Sequence, residues 1–236
     1  MTVTTVVETV SGVANGVANG HVTNGMANGV AKAAPAPERM YVTYDGVHKS
    51  IINSVELLRL AGWDTPDYLI AISGGGLIPA RILRTALRTA SSNGACAAIK
   101  VIGLELYSDE LDGRPLERGV VRTQWLEQHS TQLVGKRILI VDEVDDSRAT
   151  LAYATRELLA DIAAEEGVLA AQGRPVPPTQ LGVFVLHNKQ RPKAGALPEG
   201  VPQFVAQELD SDPWICYPWD AQDIQEHTRL AHLTGR

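Results

Sequence analysis

Four carboxylates lie within five positions of the chain: Asp142, Glu143, Asp145 and Asp146. They follow the mostly apolar run 137–141, which is typical of a buried β-strand, and they precede an amphipathic helix pattern. Carboxylates at a strand end accept hydrogen bonds from sugar hydroxyls or hold a hydrated hard cation. A capped helix with solvated acids in its first turn explains some of these residues. The mutual repulsion of four carboxylates favours a binding site over capping alone.

A short segment with two hydroxyl side chains separates the carboxylates from the helix: Ser147, Arg148, Ala149 and Thr150. The first N–H groups of a helix have no partner within the helix, and they attract an anion. The segment therefore suits a phosphate monoester.

Three consecutive glycines, Gly74 to Gly76, follow Ser73 and the apolar run 68–72. Glycine lets backbone N–H groups approach an anion closely, as in phosphate-binding loops. A glycine-rich segment between a strand and a helix is more often only a turn. Both interpretations stay open for this segment alone.

A segment near the C-terminus holds two tryptophans and a tyrosine in a chain that is only 5% aromatic. An indole ring that stacks on a flat base contributes about 1–3 kcal/mol. We expect Trp214 to stack on a ligand and Trp219 to pack in the core. Lys189 follows the apolar run 183–186. Taken alone, Lys189 is equally a solvated charge or a hydrogen-bond donor to a ligand.

The composition narrows the classes of function. The chain has 236 residues and a formal net charge of -6, which argues against a nucleic-acid-binding surface. Cys96 and Cys216 are far apart in sequence, which indicates neither a zinc site nor a disulfide framework. No apolar run approaches the ~20 residues of a membrane helix. We expect a cytoplasmic protein with no nucleic-acid partner and no membrane partner.

Residues 1–38 repeat Ala-Asn-Gly units and are predicted to form a flexible low-complexity tail, whereas residues 39–236 are predicted to form one domain. Strand and helix patterns alternate along this domain, which predicts an α/β fold with a parallel sheet and flanking helices. Ligands of such sheets lie beyond the carboxyl ends of the strands. The polar segment 107–123 is long for a connection and is predicted to be a lid.

Residues 141–150 resemble the phosphoribosyl-pyrophosphate-binding motif of the type I phosphoribosyltransferases. The resemblance implies that Asp142 and Glu143 hold the ribose hydroxyls. It implies that Asp146 is the catalytic residue facing N7 of a purine, and that residues 146–150 surround the 5′-phosphate. The family usually has glycine where this chain has Arg148, whose guanidinium is expected to face solvent or the phosphate.

Two further segments extend the resemblance. Ser73, Gly74 and Gly75 match the pyrophosphate loop of the family, which implies a cis peptide bond between Ser73 and Gly74. The C-terminal aromatic segment resembles the purine-binding hood of the 6-oxopurine enzymes. That likeness implies four purine contacts: Lys189 to the 6-oxo group, Trp214 by stacking, Ile215 through its backbone, and Asp220 near the 2-substituent. Glu143 and Asp220 are the implied magnesium ligands.

The resemblance runs from about residue 40 to the C-terminus. Residues 40–44, 122–126 and 217–220 are most similar to fungal hypoxanthine-guanine phosphoribosyltransferases, and fungal xanthine phosphoribosyltransferases are also similar. It implies a Mg²⁺-dependent homodimer of purine salvage. The reaction implied is phosphoribosyl transfer from phosphoribosyl pyrophosphate to N9 of hypoxanthine or guanine, giving IMP or GMP.

Alternatives to this reaction remain. One is a xanthine-preferring enzyme, and another is a non-catalytic regulator that senses phosphoribosyl pyrophosphate. Orotate or adenine as the acceptor is disfavoured by Lys189 and Trp214. Arg122, at the edge of the predicted lid, is either a pyrophosphate ligand or a surface cation.

Overall fold

The computed structural model describes residues 38–90, 96–108, 114–115, 119–127 and 131–234. The predicted tail lies outside the described residues except for its last position. The strands are β1 (Arg39–Tyr41), β2 (Tyr68–Ser73), β3 (Ala98–Glu105), β4 (Tyr107–Ser108), β5 (Arg114–Pro115), β6 (Val121–Gln124), β7 (Arg137–Asp145), β8 (Gln180–Lys189), β9 (Gln203–Leu209) and β10 (Trp214–Cys216). The α-helices are α1 (Tyr44–Leu60), α2 (Leu77–Ala90), α3 (Ala149–Ala171) and α4 (Ile224–Thr234).

A six-stranded sheet has the strand order β6-β3-β2-β7-β8-β9. All its neighbouring strands pair in parallel except β6, which pairs antiparallel with β3 at one edge. Helices follow β2 and β7, as the right-handed crossovers of parallel strands require. The predicted α/β class with a mostly parallel sheet and flanking helices is confirmed.

The two faces of the sheet are covered by different helices. Alternate residues of a strand point to opposite faces, so Leu139 and Val141 pack with the α1 and α2 side of the core. Ile138 and Ile140 pack with the α3 side. Because both faces are buried, the central strands are continuously apolar rather than alternating.

Smaller elements lie at the carboxyl edge of the sheet. β10 pairs in parallel with β1, so the C-terminal segment is held by the start of the domain. Helix α4 contacts β1 as well. Within the part of the chain that the structure describes, no helix is both long and apolar enough to span a bilayer.

The structure differs from the sequence pattern at one strand end. Strand β7 does not end at Val141 but continues to Asp145, because its acidic half still pairs with β8. Within the segment 107–123 the described residues form strands, because β4 pairs with β5 and β6 extends the main sheet, and the lid stays a prediction. Backbone pairing therefore orders parts of a segment that hydrophobic patterning alone leaves as a loop.

Candidate active site

The carboxyl ends of β2 and β7 and the start of α3 enclose a cavity of about 230 Å³. This cavity is lined by every residue predicted for the phosphoribosyl pyrophosphate site: Ser73, Gly74, Gly75, Asp142, Glu143, Asp146, Ser147, Arg148, Ala149 and Thr150. Leu104 and Leu106, at the end of β3, form part of its wall. Parallel strands end at one edge of the sheet, and this brings together residues that are about 70 positions apart.

The glycine turn fits closely against the acidic strand. The peptide bond between Ser73 and Gly74 is cis, as the resemblance implies. A Cβ atom on Gly75 would overlap the carboxyl group of Glu143, and one on Gly76 would overlap backbone carbonyl oxygens of β2 and β7. Glycine is therefore required at position 76, where only backbone is met, whereas a side chain at position 75 would displace the Glu143 carboxylate that lies directly over the turn.

The acidic residues have different environments. Asp142 is buried and accepts a hydrogen bond from the backbone N–H of Glu143 at 3.0 Å. Burial, and then the negative charge of Glu143, raise the pKa of Asp142 well above its usual range. The Asp145 carboxylate is fully buried and is hydrogen-bonded within the protein. Its Oδ2 accepts from Gln203 at 2.7 Å and from Arg148 at 2.9 Å.

Arg148 adopts the left-handed conformation, with φ 66°, at the start of α3. Its Nε donates to Asp145, and its Nη2 donates to Gln203 Oε1 at 2.9 Å. The guanidinium is therefore bound by Asp145 and Gln203, which differs from the expected direction toward solvent or phosphate, although Arg148 also lines the cavity. The buried charge of Asp145 explains the difference, since a buried carboxylate needs a cationic partner. The contacts also offset the cost of a positive φ in a residue other than glycine.

Lys193 holds the acidic turn against the end of β8. Its ammonium donates to the carbonyl oxygens of Asp145 at 2.7 Å, Asp146 at 2.9 Å and Lys189 at 2.8 Å. Asn188 Oδ1 is a fourth acceptor at 2.9 Å, so the three ammonium protons are shared among four acceptors, and the side chain is only 14% exposed. A single lysine thus connects the predicted phosphate turn with the strand that carries Lys189.

Lys189 and Asp146 meet at this edge of the sheet in a group of four charges. Lys189 Nζ lies 3.4 Å from Asp146 Oδ2 and donates to Asp212 Oδ1 at 2.9 Å. Arg191 Nη1 donates to Asp146 Oδ1 at 3.0 Å and to Asp212 Oδ2 at 2.8 Å. The hydrogen bond from Lys189 is the main cause that lowers the pKa of Asp212, so this carboxylate is ionised at neutral pH.

The aromatic segment separates into an exposed ring and a packed pair. Trp214 is 60% exposed at the start of β10, two residues after Asp212. Ile215 pairs in the same short sheet with Met40. Trp219 stacks on the ring of Tyr217 with centroids 4.6 Å apart, and it packs against the core, as we expected.

Tyr217 connects the core to the acidic strand. Its hydroxyl donates to the backbone oxygen of Glu143 at 3.0 Å and lies 2.8 Å from His187 Nδ1. His187 is buried, and burial lowers its pKa to about 4, so the imidazole is neutral. Because the single hydroxyl proton goes to Glu143, the neutral His187 donates its Nδ1 proton to the Tyr217 oxygen.

Asp220 lies at the end of the same segment, and its charge interacts with that of Glu143. Burial, and then the Glu143 charge, raise the pKa of Asp220. A cation near these two carboxylates would relieve their repulsion. Among the described residues no group of three or more His, Cys, Asp or Glu side chains is arranged to hold a metal ion.

Sequence similarity to known proteins shows the family of this chain. No protein-family model matches the chain. The chain is 45% identical over 209 residues to Xanthine phosphoribosyltransferase 1 of Saccharomyces cerevisiae, covering 84% of this chain and 97% of that protein. It is 43% identical over 199 residues to the hypoxanthine-guanine phosphoribosyltransferase of Schizosaccharomyces pombe, covering 81% and 93%. The chain belongs to the purine phosphoribosyltransferases. It is therefore an enzyme, a transferase of purine salvage.

Solved structures share the fold of this chain. A crystal structure of a hypothetical protein from Neisseria gonorrhoeae with bound ppGpp matches with a TM-score of 0.66 and 39% identity, over 85% of this chain and 98% of that chain. The purine phosphoribosyltransferase of Pyrococcus horikoshii matches with a TM-score of 0.50 and 23% identity, over 79% and 96%, which supports the fold alone.

Three charged residues at the candidate site of this phosphoribosyltransferase were not predicted from the sequence: Arg191, Lys193 and Asp212. Their only signal was proximity to Lys189 and Trp214, because isolated charges in loops are usually solvated. Arg122, in contrast, pairs with Glu157 of α3 at 2.5 Å and lies over the Trp125 ring. These contacts favour the interpretation of Arg122 as a surface cation over its interpretation as a pyrophosphate ligand.

Proposed function

We propose that this phosphoribosyltransferase joins N9 of hypoxanthine or guanine to the 5-phosphoribosyl group of phosphoribosyl pyrophosphate, forming IMP or GMP and pyrophosphate. The observation that carries the proposal is the contact between Asp146 and Lys189. It brings the carboxylate expected at N7 of the purine next to the ammonium expected at the 6-oxo group. The names of the relatives and the ppGpp, a guanine nucleotide, in the Neisseria protein support a guanine-type base.

The donor is assigned to the 230 Å³ cavity. Asp142 and Glu143 accept hydrogen bonds from the ribose 2′- and 3′-hydroxyls. The backbone and hydroxyl groups of residues 147–150, at the start of α3, hold the 5′-phosphate. Ser73, Gly74 and Gly75 present backbone groups to the pyrophosphate, which glycine permits because no side chain blocks the approach.

Magnesium fits Glu143 and Asp220, whose charges interact unfavourably without a cation. Magnesium commonly takes one or two protein carboxylates and completes its coordination with substrate oxygens and water. A site with only two protein carboxylates therefore suits it. When bound, magnesium lowers the charge of the pyrophosphate leaving group.

The purine is assigned to the edge formed by Lys189, Trp214 and Ile215. The exposed face of Trp214 stacks on the base, and Lys189 donates to the 6-oxo oxygen. Adenine is excluded because its 6-amino group cannot accept that hydrogen bond. The bond from C1′ to the pyrophosphate oxygen breaks as the bond from N9 to C1′ forms, and Asp146 accepts the proton at N7. Such a base contributes about 10²–10⁴-fold to the rate.

The test is nucleotide formation from hypoxanthine, guanine and xanthine, with adenine as the control, in the presence of phosphoribosyl pyrophosphate and with or without magnesium. We expect IMP and GMP, and no AMP. The variant Asp146→Asn should lower kcat by about 10²–10⁴-fold while donor binding is retained. Equal use of adenine would refute the assignment of Lys189.

A xanthine-preferring enzyme is the second candidate, because a xanthine phosphoribosyltransferase is 45% identical to this chain. The same assay separates the two candidates by the ratio of kcat/KM values. A non-catalytic regulator would bind phosphoribosyl pyrophosphate and form no nucleotide from any base.

We also propose that residues 39–236 form the phosphoribosyltransferase domain, that residues 1–38 are a tail not needed for activity, and that the enzyme is a cytoplasmic homodimer. A chain beginning at residue 39 should keep the kcat/KM of the full chain. Light scattering should give twice the mass of one chain. Loss of activity in the shortened chain would refute the first two statements, and a monomer mass would refute the dimer.

A further inference from the structure

The proposed purine edge holds a balanced set of charges. Two cations, Lys189 and Arg191, each contact both of two carboxylates, Asp146 and Asp212, at distances of 2.8–3.4 Å. The formal charges of the four groups sum to zero. Of the four side chains only Lys189, at 9% exposure, is largely removed from water.

Asp212 shares an ammonium with the base. In the proposed function Lys189 donates to the 6-oxo oxygen, and in the structure the same Nζ donates to Asp212 Oδ1 at 2.9 Å. A lysine ammonium has three protons in a tetrahedral arrangement, so it can hold both acceptors at once. Two oxygens on such an ammonium lie roughly 5 Å apart when each hydrogen bond has ordinary length.

A carboxylate bound to the same ammonium as the base interacts electrostatically with any charge on the base. Hypoxanthine and guanine are neutral at neutral pH, whereas xanthine loses a ring proton near neutrality and becomes an anion. A neutral base adds no net charge to the four-residue group. An anionic base adds a negative charge within reach of Asp212.

We propose that Asp212 is a specificity-determining residue that discriminates against the anionic form of a 6-oxopurine. This inference rests on the proposed function, because it assumes that Lys189 binds the 6-oxo group. The pairing of Asp212 with Lys189 and Arg191 keeps its carboxylate charged and directed toward the base-binding ammonium. The carboxylate is half-exposed, at 47%, so its removal does not disturb the core.

The decisive variant is Asp212→Asn, which removes the charge and keeps the shape. The ratio of kcat/KM for xanthine to kcat/KM for hypoxanthine should rise at least about fourfold, the factor for unit charges roughly 5 Å apart screened as in water. Asp210→Asn is the matched control, because it removes the same charge from an exposed residue two positions earlier. That control should leave the ratio unchanged. Asp212→Glu should return the ratio to the wild-type value.

The pH profile gives a second readout. In the wild type the xanthine-to-hypoxanthine ratio should fall as pH rises and the xanthine anion accumulates, and in Asp212→Asn the fall should be smaller. Titration of protein groups that act equally on both substrates cancels in the ratio. Among the groups facing Asp212, Lys189 and Arg191 are cations and Asp146 is a carboxylate. These three groups are the same in the wild type and in Asp212→Asn, so they do not account for a difference between the two profiles.

Binding of products tests the same idea without turnover. Calorimetric titration with IMP and with XMP, whose base also ionises readily, should show XMP gaining affinity relative to IMP by a similar factor in Asp212→Asn. An unchanged ratio in both kinetics and binding would overturn the inference while leaving the enzyme a phosphoribosyltransferase of hypoxanthine and guanine. If the wild type forms no nucleotide from any of the three bases, the proposed function itself fails.

Discussion

Lys193→Met removes one ammonium and keeps a side chain of similar length at the junction between the acidic turn and β8. In the wild type the three protons of this ammonium are shared among four acceptors, three backbone carbonyls and the Asn188 amide oxygen, at 2.7–2.9 Å. The side chain is 14% exposed, so water replaces these contacts poorly in the variant. Several acceptors then lose their partner at once.

The magnitude follows from the number and kind of contacts. A hydrogen bond from a charged donor contributes about 1.5–3 kcal/mol, and contacts made by one ammonium are not additive. Removing the lysine also removes the cost of burying its charge. We therefore expect the free energy of unfolding to fall by about 3 kcal/mol, which lowers Tm by roughly 6–12 °C for a domain of this size.

The assay is urea unfolding together with steady-state kinetics. Lys136→Met is the control, because Lys136 pairs with Asp67 at 3.4 Å on the surface and is 32% exposed. That control should lose less than about 1 kcal/mol. The KM for phosphoribosyl pyrophosphate should rise in Lys193→Met alone, because the turn that carries Asp146 is no longer held, and Lys193→Arg should recover part of it. Equal losses of stability in both methionine variants would refute the reasoning.

Three further predictions follow from the site. Gly76→Ala should lower the free energy of unfolding by about 3 kcal/mol, because the strand carbonyls that it meets cannot move. Gly75→Ala meets only the carboxyl end of Glu143, so calorimetry should show almost unchanged stability while kcat/KM for the donor falls about tenfold or more; unfolding of both variants to the same extent would contradict this contrast. Burial lowers the pKa of His187 to about 4, so its imidazole is neutral in the folded protein. The contribution of this neutral imidazole to the free energy of unfolding is fully present above the unfolded pKa near 6.5, and it is lost as pH falls. Wild-type stability should therefore fall by about 3 kcal/mol relative to His187→Gln between these two pH values, and parallel urea profiles would exclude it. Trp214→Ala should raise the purine KM by roughly tenfold and leave the donor KM unchanged, and an unaffected purine KM would remove this ring from the site.

The two segments that line the 230 Å³ cavity could be predicted from the sequence. The glycine turn and the acidic segment are each continuous in the chain, and each follows an apolar strand. Parallel strands end at the same edge, so the two segments had to meet near Gly75 and Glu143. The boundary of β7 could not be predicted, because the pairing of Asp142 and Asp145 with β8 opposes their low strand propensity.

The direction of Arg148 and the roles of Lys193, Arg191 and Asp212 depended on tertiary structure. Arg148 faces Asp145 only because that carboxylate is buried beside Gln203, which comes from β9. Asp212 meets Lys189 because β8 and β9 are neighbours in the sheet.

The sequence by itself determined the apolar strands, the glycine turn and the acidic segment before α3, because these depend on residues adjacent in the chain. Only the tertiary structure decided which charges became partners across the sheet edge. The reason is physical: a charge in a loop has the same sequence signature whether it is solvated or buried. Its pKa, its partners and its effect on a ligand follow from distances between segments far apart in the chain.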